Sequence, residues 1–247
     1  MALRVGKETM DSFLKIAHRG YSTRYPENTI LAFEKAVEAG ADMIELDIHL
    51  SRDGRLVVIH DDWIDRTADG TGAVADLSLA ELKRYNYNNR MAQHGFVGIP
   101  TLDEVIAWAG DRVMLNIEIK NRPGRNEGVE RKLTDLLRET HFTDRVIVSS
   151  FDHYALAEMK RIAGSVKTAM IYDSVWIRFT DEVRTLGVYS VHPGRDAVEA
   201  GQLRWAKSCG IQVYPWVVKD RETLKAYRAS GYVDGVMVND LALFSGH

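Results

Sequence analysis

Short β-branched runs alternate with amphipathic stretches along the whole chain, the pattern of repeated βα units around a parallel sheet. Eight strands are expected, at Leu14–His18, Asp42–Ile48, Val113–Ile119, Arg145–Ser149, Val166–Ile171, Val188–Val191, Ile211–Trp216 and Asp234–Val238. The first intervening helix is the clearest. Asn28 stands where a cap belongs, Ile30, Phe33 and Val37 recur at helical spacing, and Gly40 follows. Further helices are expected from near Asp103, Glu127, His153, Asp196 and Asp220, with a weaker one over Phe179–Leu186. Eight such units close a (β/α)8 TIM barrel, an α/β fold, and 247 residues suit one barrel domain over 1–247 rather than two domains.

One run breaks the alternation. Arg55–His60 follows the second strand after only Ser51-Arg52-Asp53-Gly54, too short for a parallel crossover, so it is expected to fold back as a hairpin. A two-residue loop at Asp53-Gly54 sets His60 opposite Asp47, and a four-residue loop sets it opposite Glu45. Either register keeps it on the acidic face, whereas a one-residue bulge turns it away. The stretch from about 61 to 100 is rich in Gly, Asn and Asp, with one short helical piece near Ser78–Arg84. It is read as an insertion after the second barrel strand, covering one mouth.

Strand parity carries the chemistry. In Met43-Ile44-Glu45-Leu46-Asp47-Ile48 the aliphatic side chains share one face and Glu45 and Asp47 the other. With the aliphatic face against helices, two carboxylates point inward, where an unpaired charge is costly to desolvate. The third strand adds Glu118, with Asn116 and Lys120 on the same side. Three carboxylates without a nearby Cys form an all-oxygen set suited to one divalent cation, Mg²⁺ or Ca²⁺, with Mn²⁺ as a further fit. A salt-bridge network with Lys120 and Arg19 is the competing reading. His18 ends the first strand and His60 the hairpin, both at the strand-end face where barrel enzymes build their sites. Arg19 and Lys120 suit an anionic oxygen. Trp216 and Phe151 are placed to wall an organic moiety, and Glu27, just before the presumed cap, is read as a supporting acid favoured by the helix N-terminus. Among the other histidines, His192 ends a strand within reach of the mouth; none is assigned a role.

Net charge is −3 and no basic run occurs, which argues against nucleic acid or an anionic membrane as partner. Cys209, the only cysteine, excludes an internal disulfide and reads as buried packing. Met1–Asp11 is polar, and no stretch reaches the length of a membrane span, so no stable membrane insertion and a cytoplasmic location are expected. Oligomeric state is left open.

The same residues resemble the glycerophosphodiester phosphodiesterase family. The likeness runs in order through Ala17-His18-Arg19-Gly20, Pro26-Glu27-Asn28-Thr29, Glu45-Leu46-Asp47, His60-Asp61, Arg66-Thr67, Asn116-Ile117-Glu118-Ile119-Lys120, Ser149-Ser150-Phe151 and Trp216. It implies a TIM barrel with one divalent metal on Glu45, Asp47 and Glu118, catalytic His18 and His60, and phosphate contacts from Arg19 and Lys120. The implied reaction is hydrolysis of glycerophosphodiesters such as glycerophosphocholine or glycerophosphoethanolamine to sn-glycerol 3-phosphate and an alcohol. The resemblance also suggests the glycerol 2-hydroxyl as first nucleophile, with direct water attack left open. Two alternatives stand beside this: a lysophospholipase D or phosphoinositide-type phospholipase on the same barrel, and a non-catalytic barrel that binds phosphorylated metabolites. Val217-Val218-Lys219 and Val238-Asn239-Asp240-Leu241 depart from the family pattern.

Overall fold

The computed structural model describes residues 13–120 and 126–245; the polar stretch Met1–Asp11 and His247 lie outside them. Eight parallel strands, β1 (Leu14–His18), β2 (Met43–Leu50), β4 (Met114–Ile119), β5 (Val146–Ser150), β6 (Lys167–Tyr172), β7 (Ser190–Pro193), β8 (Gln212–Val213) and β9 (Gly235–Val238), run in the order β8-β7-β6-β5-β4-β2-β1-β9. The last seam closes through the chain beyond β8. Asp234 N donates to Val213 O at 3.0 Å, Met237 N to Pro215 O at 3.0 Å and Val218 N to Met237 O at 2.9 Å. A (β/α)8 barrel results, as the alternating pattern implies.

Helices α1 (Ile30–Glu38), α3 (Leu102–Ala109), α4 (Val129–Glu139), α5 (His153–Ile162), α6 (Phe179–Leu186), α7 (Ala200–Ser208) and α8 (Arg221–Ala229) surround it, with the single turn α2 (Leu79–Leu82) between β2 and β4. Outward aliphatics such as Ile44, Leu46, Leu115 and Ile117 pack on the helices. Inward, Ile16, Met43, Ile147, Ala169, Tyr214 and Met237 form a separate apolar plug.

Three local expectations are corrected. The cap of α1 is Thr29, whose side chain accepts from Ala32 N; Asn28 has φ +57 and its amide is used elsewhere. Helix α7 starts at Ala200, not near Asp196, because Glu199 caps it by accepting from Gly201 N and Gln202 N. Cys209 is exposed rather than packed, since it is the C-cap that leads α7 out to Gly210.

The hairpin strand β3 (Leu56–Val58) pairs with β2 as Ile48↔Val58, His49↔Val57 and Leu50↔Leu56. This is neither expected register. The loop has three residues, 52–54, closed by Ser51 N donating to Arg55 O at 2.9 Å, with Gly54 at φ +73, the left-handed position of a three-residue hairpin. The segment that follows buries its own small core on Val57 and Ile59, around Ile64, Val74, Leu82, Tyr87 and Ile99. Among the described residues no helix is long and apolar enough to cross a membrane.

Candidate active site

The end of β1 turns sharply, with Arg19 at φ +58 and Gly20 at φ +82. A Cβ on Gly20 would lie 2.8 Å from the backbone of Ala32, so only glycine lets the turn pack on α1. The turn sends Arg19 N back to Glu45 Oε2 at 3.0 Å, while the guanidinium donates to Glu27 Oε1 at 3.0 Å and stands 3.4 Å from Asp47 Oδ2. Glu27 is thus held by two arginines, Arg66 also donating to it at 2.8 Å, rather than by the helix N-terminus. Asn28 reaches Asp47 instead of capping α1: Nδ2 donates to Asp47 Oδ2 at 2.8 Å.

Parity on β2 turns Glu45 and Asp47 inward, and the β2–β4 register sets Glu118 beside Asp47. All three are buried, with one oxygen from each lying within 4.8 Å of the others. Burial, then repulsion from its neighbours, pushes Glu45 well above the carboxylate range and Glu118 up to about 7. Burial also pushes Asp47 up, but Lys120, Arg19 and His60 more than offset it and hold it low. The ion-pair network is real as far as it goes: Lys120 Nζ lies 2.7 Å from Glu118 Oε1 and 3.5 Å from Asp47 Oδ1. It does not neutralise the cluster, because two cations face three acids and Arg19 is shared with Glu27. Asp47 Oδ1 is buried without a hydrogen bond. An all-oxygen set with a buried carboxylate oxygen that accepts no hydrogen bond and with more acids than cations fits a hard divalent cation.

His18 and His60 flank these acids. His18 Nδ1 meets Asn239 Oδ1 at 2.7 Å, and Nε2 lies 3.8 Å from Glu45 Oε2. Burial and the neighbouring Arg19 take its imidazole down to about 4. By the observed β2–β3 register His60 would share the outward parity of Leu46. It nonetheless lines the site, because pairing stops when Ile59 N donates to Asp47 O and the chain bends at His60. His60 Nδ1 lies 2.6 Å from Asp61 Oδ1, and Asp61 Oδ2 accepts from Arg66 Nε at 2.6 Å. Arg66 in turn binds Glu27, so one chain of ion pairs links both sides of the mouth.

Two chambers meet at the carboxylates and share His60, Glu118, Lys120 and Phe151. The inner, of about 230 Å³, runs from His18, Arg19 and Glu45 to walls of Phe151, Ile171, Trp216 and Met237. The outer, of about 640 Å³, opens past Asp61, Asp62, Trp63, Asp65 and Arg66. Phe151 and Trp216 meet edge to face, their centroids 5.5 Å apart, and Trp216 Nε1 donates to His192 O at 2.9 Å. Of the site residues expected from sequence, His18, Arg19, Glu45, His60, Glu118, Lys120, Phe151 and Trp216 line these two chambers, while Asp47 is buried beside Glu118 and Glu27 is tied to the site through Arg19 and Arg66.

The sequence profile of the glycerophosphoryl diester phosphodiesterase family matches residues 18–243. The chain belongs to that family. A glycerophosphodiester phosphodiesterase of Caldanaerobacter subterraneus subsp. tengcongensis is 40% identical over 230 residues, 92% of this chain and 94% of the relative. Among solved structures, an Oleispira antarctica phosphodiesterase in complex with the product sn-glycerol-3-phosphate superimposes with a TM-score of 0.88 at 28% identity, covering 94% of this chain and 95% of that one. The glycerophosphodiester phosphodiesterase of Thermotoga maritima gives a TM-score of 0.77 at 32% identity, covering 94% and 96%.

Within this glycerophosphodiester phosphodiesterase fold, sequence reasoning left several site residues without a role. For Asp61 and Arg66 the signal is adjacency to His60 and membership of the Arg66-Thr67 pair; Asn28, expected as a cap, instead donates to Asp47. Asn239, which in sequence is only a departure from the family pattern after β9, is the partner of His18. Asn116, whose strand parity gives only the inner face, is fully buried at the inner chamber, two residues before Glu118.

Proposed function

We propose that the protein hydrolyses glycerophosphodiesters such as glycerophosphocholine or glycerophosphoethanolamine to sn-glycerol 3-phosphate and an alcohol, using a divalent cation and two histidines. The convergence of three buried carboxylates, two imidazoles and two cations around one space carries the reading. The product-bound Oleispira antarctica structure supports the substrate class. Glu45, Asp47 and Glu118 would hold the ion, Mg²⁺ or Ca²⁺, which supplies Lewis-acid polarisation of the phosphoryl oxygens when bound. Arg19 and Lys120 bind non-bridging oxygens and offset the charge that develops there.

The hydrogen bonds divide the proton work. With Nδ1–H donated to the neutral Asn239 oxygen, His18 presents a bare Nε2 to the inner chamber and takes the proton of the nucleophile, whether water or the glycerol 2-hydroxyl. His60 lines both chambers and has a carboxylate, Asp61, behind Nδ1. Burial, with Lys120 and Arg19 nearby, holds the His60 imidazole below its ordinary value, but Asp47 and Asp61 favour its imidazolium, and its place at the outer chamber makes it the group that protonates the departing alcohol there. In-line displacement places the two on opposite sides of phosphorus.

The test uses two substrates, glycerophosphocholine and glycerol 3-(4-nitrophenyl phosphate), with metal supplied. His18→Ala and His60→Ala should each lower kcat on the first by about 10²–10⁴-fold, the usual worth of general acid–base catalysis. Only His60→Ala should recover on the second, whose leaving group needs no acid. Near-normal turnover of glycerophosphocholine by either variant removes that histidine from the reaction.

A second reading has one observation in its favour. Phe151, Tyr154, Val175 and Ile177, in and beside the segments after β5 and β6, are exposed large apolar side chains near the mouth, a feature a lysophospholipase D would use for an acyl chain. Comparing kcat/KM for lysophosphatidylcholine and glycerophosphocholine separates the two.

A further inference from the structure

The inner chamber ends in polar groups that the protein leaves unpaired. Both amide atoms of Asn116 are buried without a hydrogen bond, and so is Nδ1 of His192; both side chains are fully inaccessible and both line this chamber. His192 is fixed in place, with Nε2 3.0 Å from Ser190 Oγ and its ring centroid 5.5 Å from that of Tyr214. Burial takes its imidazole down to about 3, so it is neutral. An unsatisfied buried donor or acceptor is costly, and two beside a reacting centre mark a place where a ligand completes the hydrogen bonding.

The chemistry of that ligand follows from the walls. Phe151, Ile171, Trp216 and Met237 carry no charge, and the polar groups at this end are an amide and a neutral imidazole, a setting that accepts hydroxyls and rejects an ammonium or a carboxylate. The outer chamber is the reverse, with Asp61, Asp62, Asp65 and Asp152 on its walls. The two halves of a diester centred on the carboxylates thus meet different surroundings.

We propose that Asn116 and His192 form a subsite that reads the hydroxyls of the glycerol half in the inner chamber, leaving the head group to the outer one. This rests on the glycerophosphodiesterase reading above. Neither residue touches the reacting atoms; both position the substrate.

Binding of sn-glycerol 3-phosphate and of ethyl phosphate, which keeps the phosphate and lacks the hydroxyls, is measured by calorimetry on Mg²⁺-supplied wild type, Asn116→Leu and His192→Phe. Wild type should prefer sn-glycerol 3-phosphate by at least about tenfold, and each variant should lose about tenfold for that ligand alone, the worth of one hydrogen bond. Tm should hold or rise in Asn116→Leu, where an apolar side chain of similar shape replaces an unpartnered polar one, and should fall modestly in His192→Phe, which also loses the Ser190 hydrogen bond. Equal wild-type affinities for the two phosphates, equal loss of both ligands in the variants, or a fall in Tm with affinities unchanged would each overturn the subsite. If one variant fails to fold, the other decides; failure of both assigns the residues to the fold. Wild type that binds neither phosphate and leaves glycerophosphocholine intact defeats the proposed function itself, whereas wild type that hydrolyses it but binds both phosphates alike defeats only the subsite.

Discussion

At the scale of single residues, the contact between His18 and Asn239 sets what the site can do with pH. Burial and Arg19 take the His18 imidazole down to about 4, so in the proposed role of base it is ready throughout the neutral range. Asn239→Asp would put a carboxylate where a neutral oxygen now accepts, favouring the imidazolium and raising this pKa. The base form would then be lost at a higher pH. The acid limb of the kcat profile, measured at saturating metal, should therefore move up, while Asn239→Ala, which removes a hydrogen bond that raises this pKa, should move it down and lower kcat by about tenfold. An unchanged profile in the Asp variant would detach Asn239 from the reacting imidazole. The acids were legible in sequence because parity within a strand leaves them no other direction. The amides were not: an Asn after a strand or before a helix can cap, turn or reach inward equally well, and the choice between them is made by long-range contacts such as that of Asn28 with Asp47.

At the scale of elements, two glycines with left-handed φ separate folding from function. Gly54 closes the β2–β3 hairpin at φ +73, and the group nearest a new Cβ is the flexible end of Lys132 at 3.1 Å. Gly54→Ala should cost about 1 kcal/mol, the strain of that conformation, and leave kcat/KM near normal. Gly20 is different, because its new Cβ would meet the backbone of α1 at 2.8 Å. Gly20→Ala should cost about 3 kcal/mol, strain and overpacking together, and lower kcat/KM by at least about tenfold by displacing Arg19. Thermal unfolding and steady-state kinetics on the pair check both; equal activity in the two variants would mean that the β1 turn does not hold the site. The hairpin also marks where pattern reading fails. The fold-back was legible from the short link, but register depends on whether Arg52 joins the loop. His60 reaches the site through a bend after pairing ends, which no alternation of polar and apolar residues encodes.

For the molecule as a whole, a barrel mouth that gathers three carboxylates works against its own fold unless a cation offsets their charge. The Glu118 carboxyl rises to about 7, and Glu45 rises too, through burial and mutual repulsion. A folded-state pKa above the unfolded value means that protonation favours the fold at low pH and that this support is lost as pH rises through about 7. Asp47 is shifted the other way, held below its ordinary value, so its contribution is constant from about pH 6 to 8 and cannot mask the trend. Removing metal with EDTA should accordingly lower Tm more at pH 8 than at pH 6. Glu118→Gln should raise the Tm of the metal-free protein at pH 8 while abolishing metal-stimulated hydrolysis. Protons and metal compete for the same carboxylates, so raising Mg²⁺ should carry the acid limb of activity to lower pH. An EDTA effect on Tm that is the same at both pH values, together with an acid limb indifferent to Mg²⁺, would show that the three acids are paired internally and hold no catalytic ion.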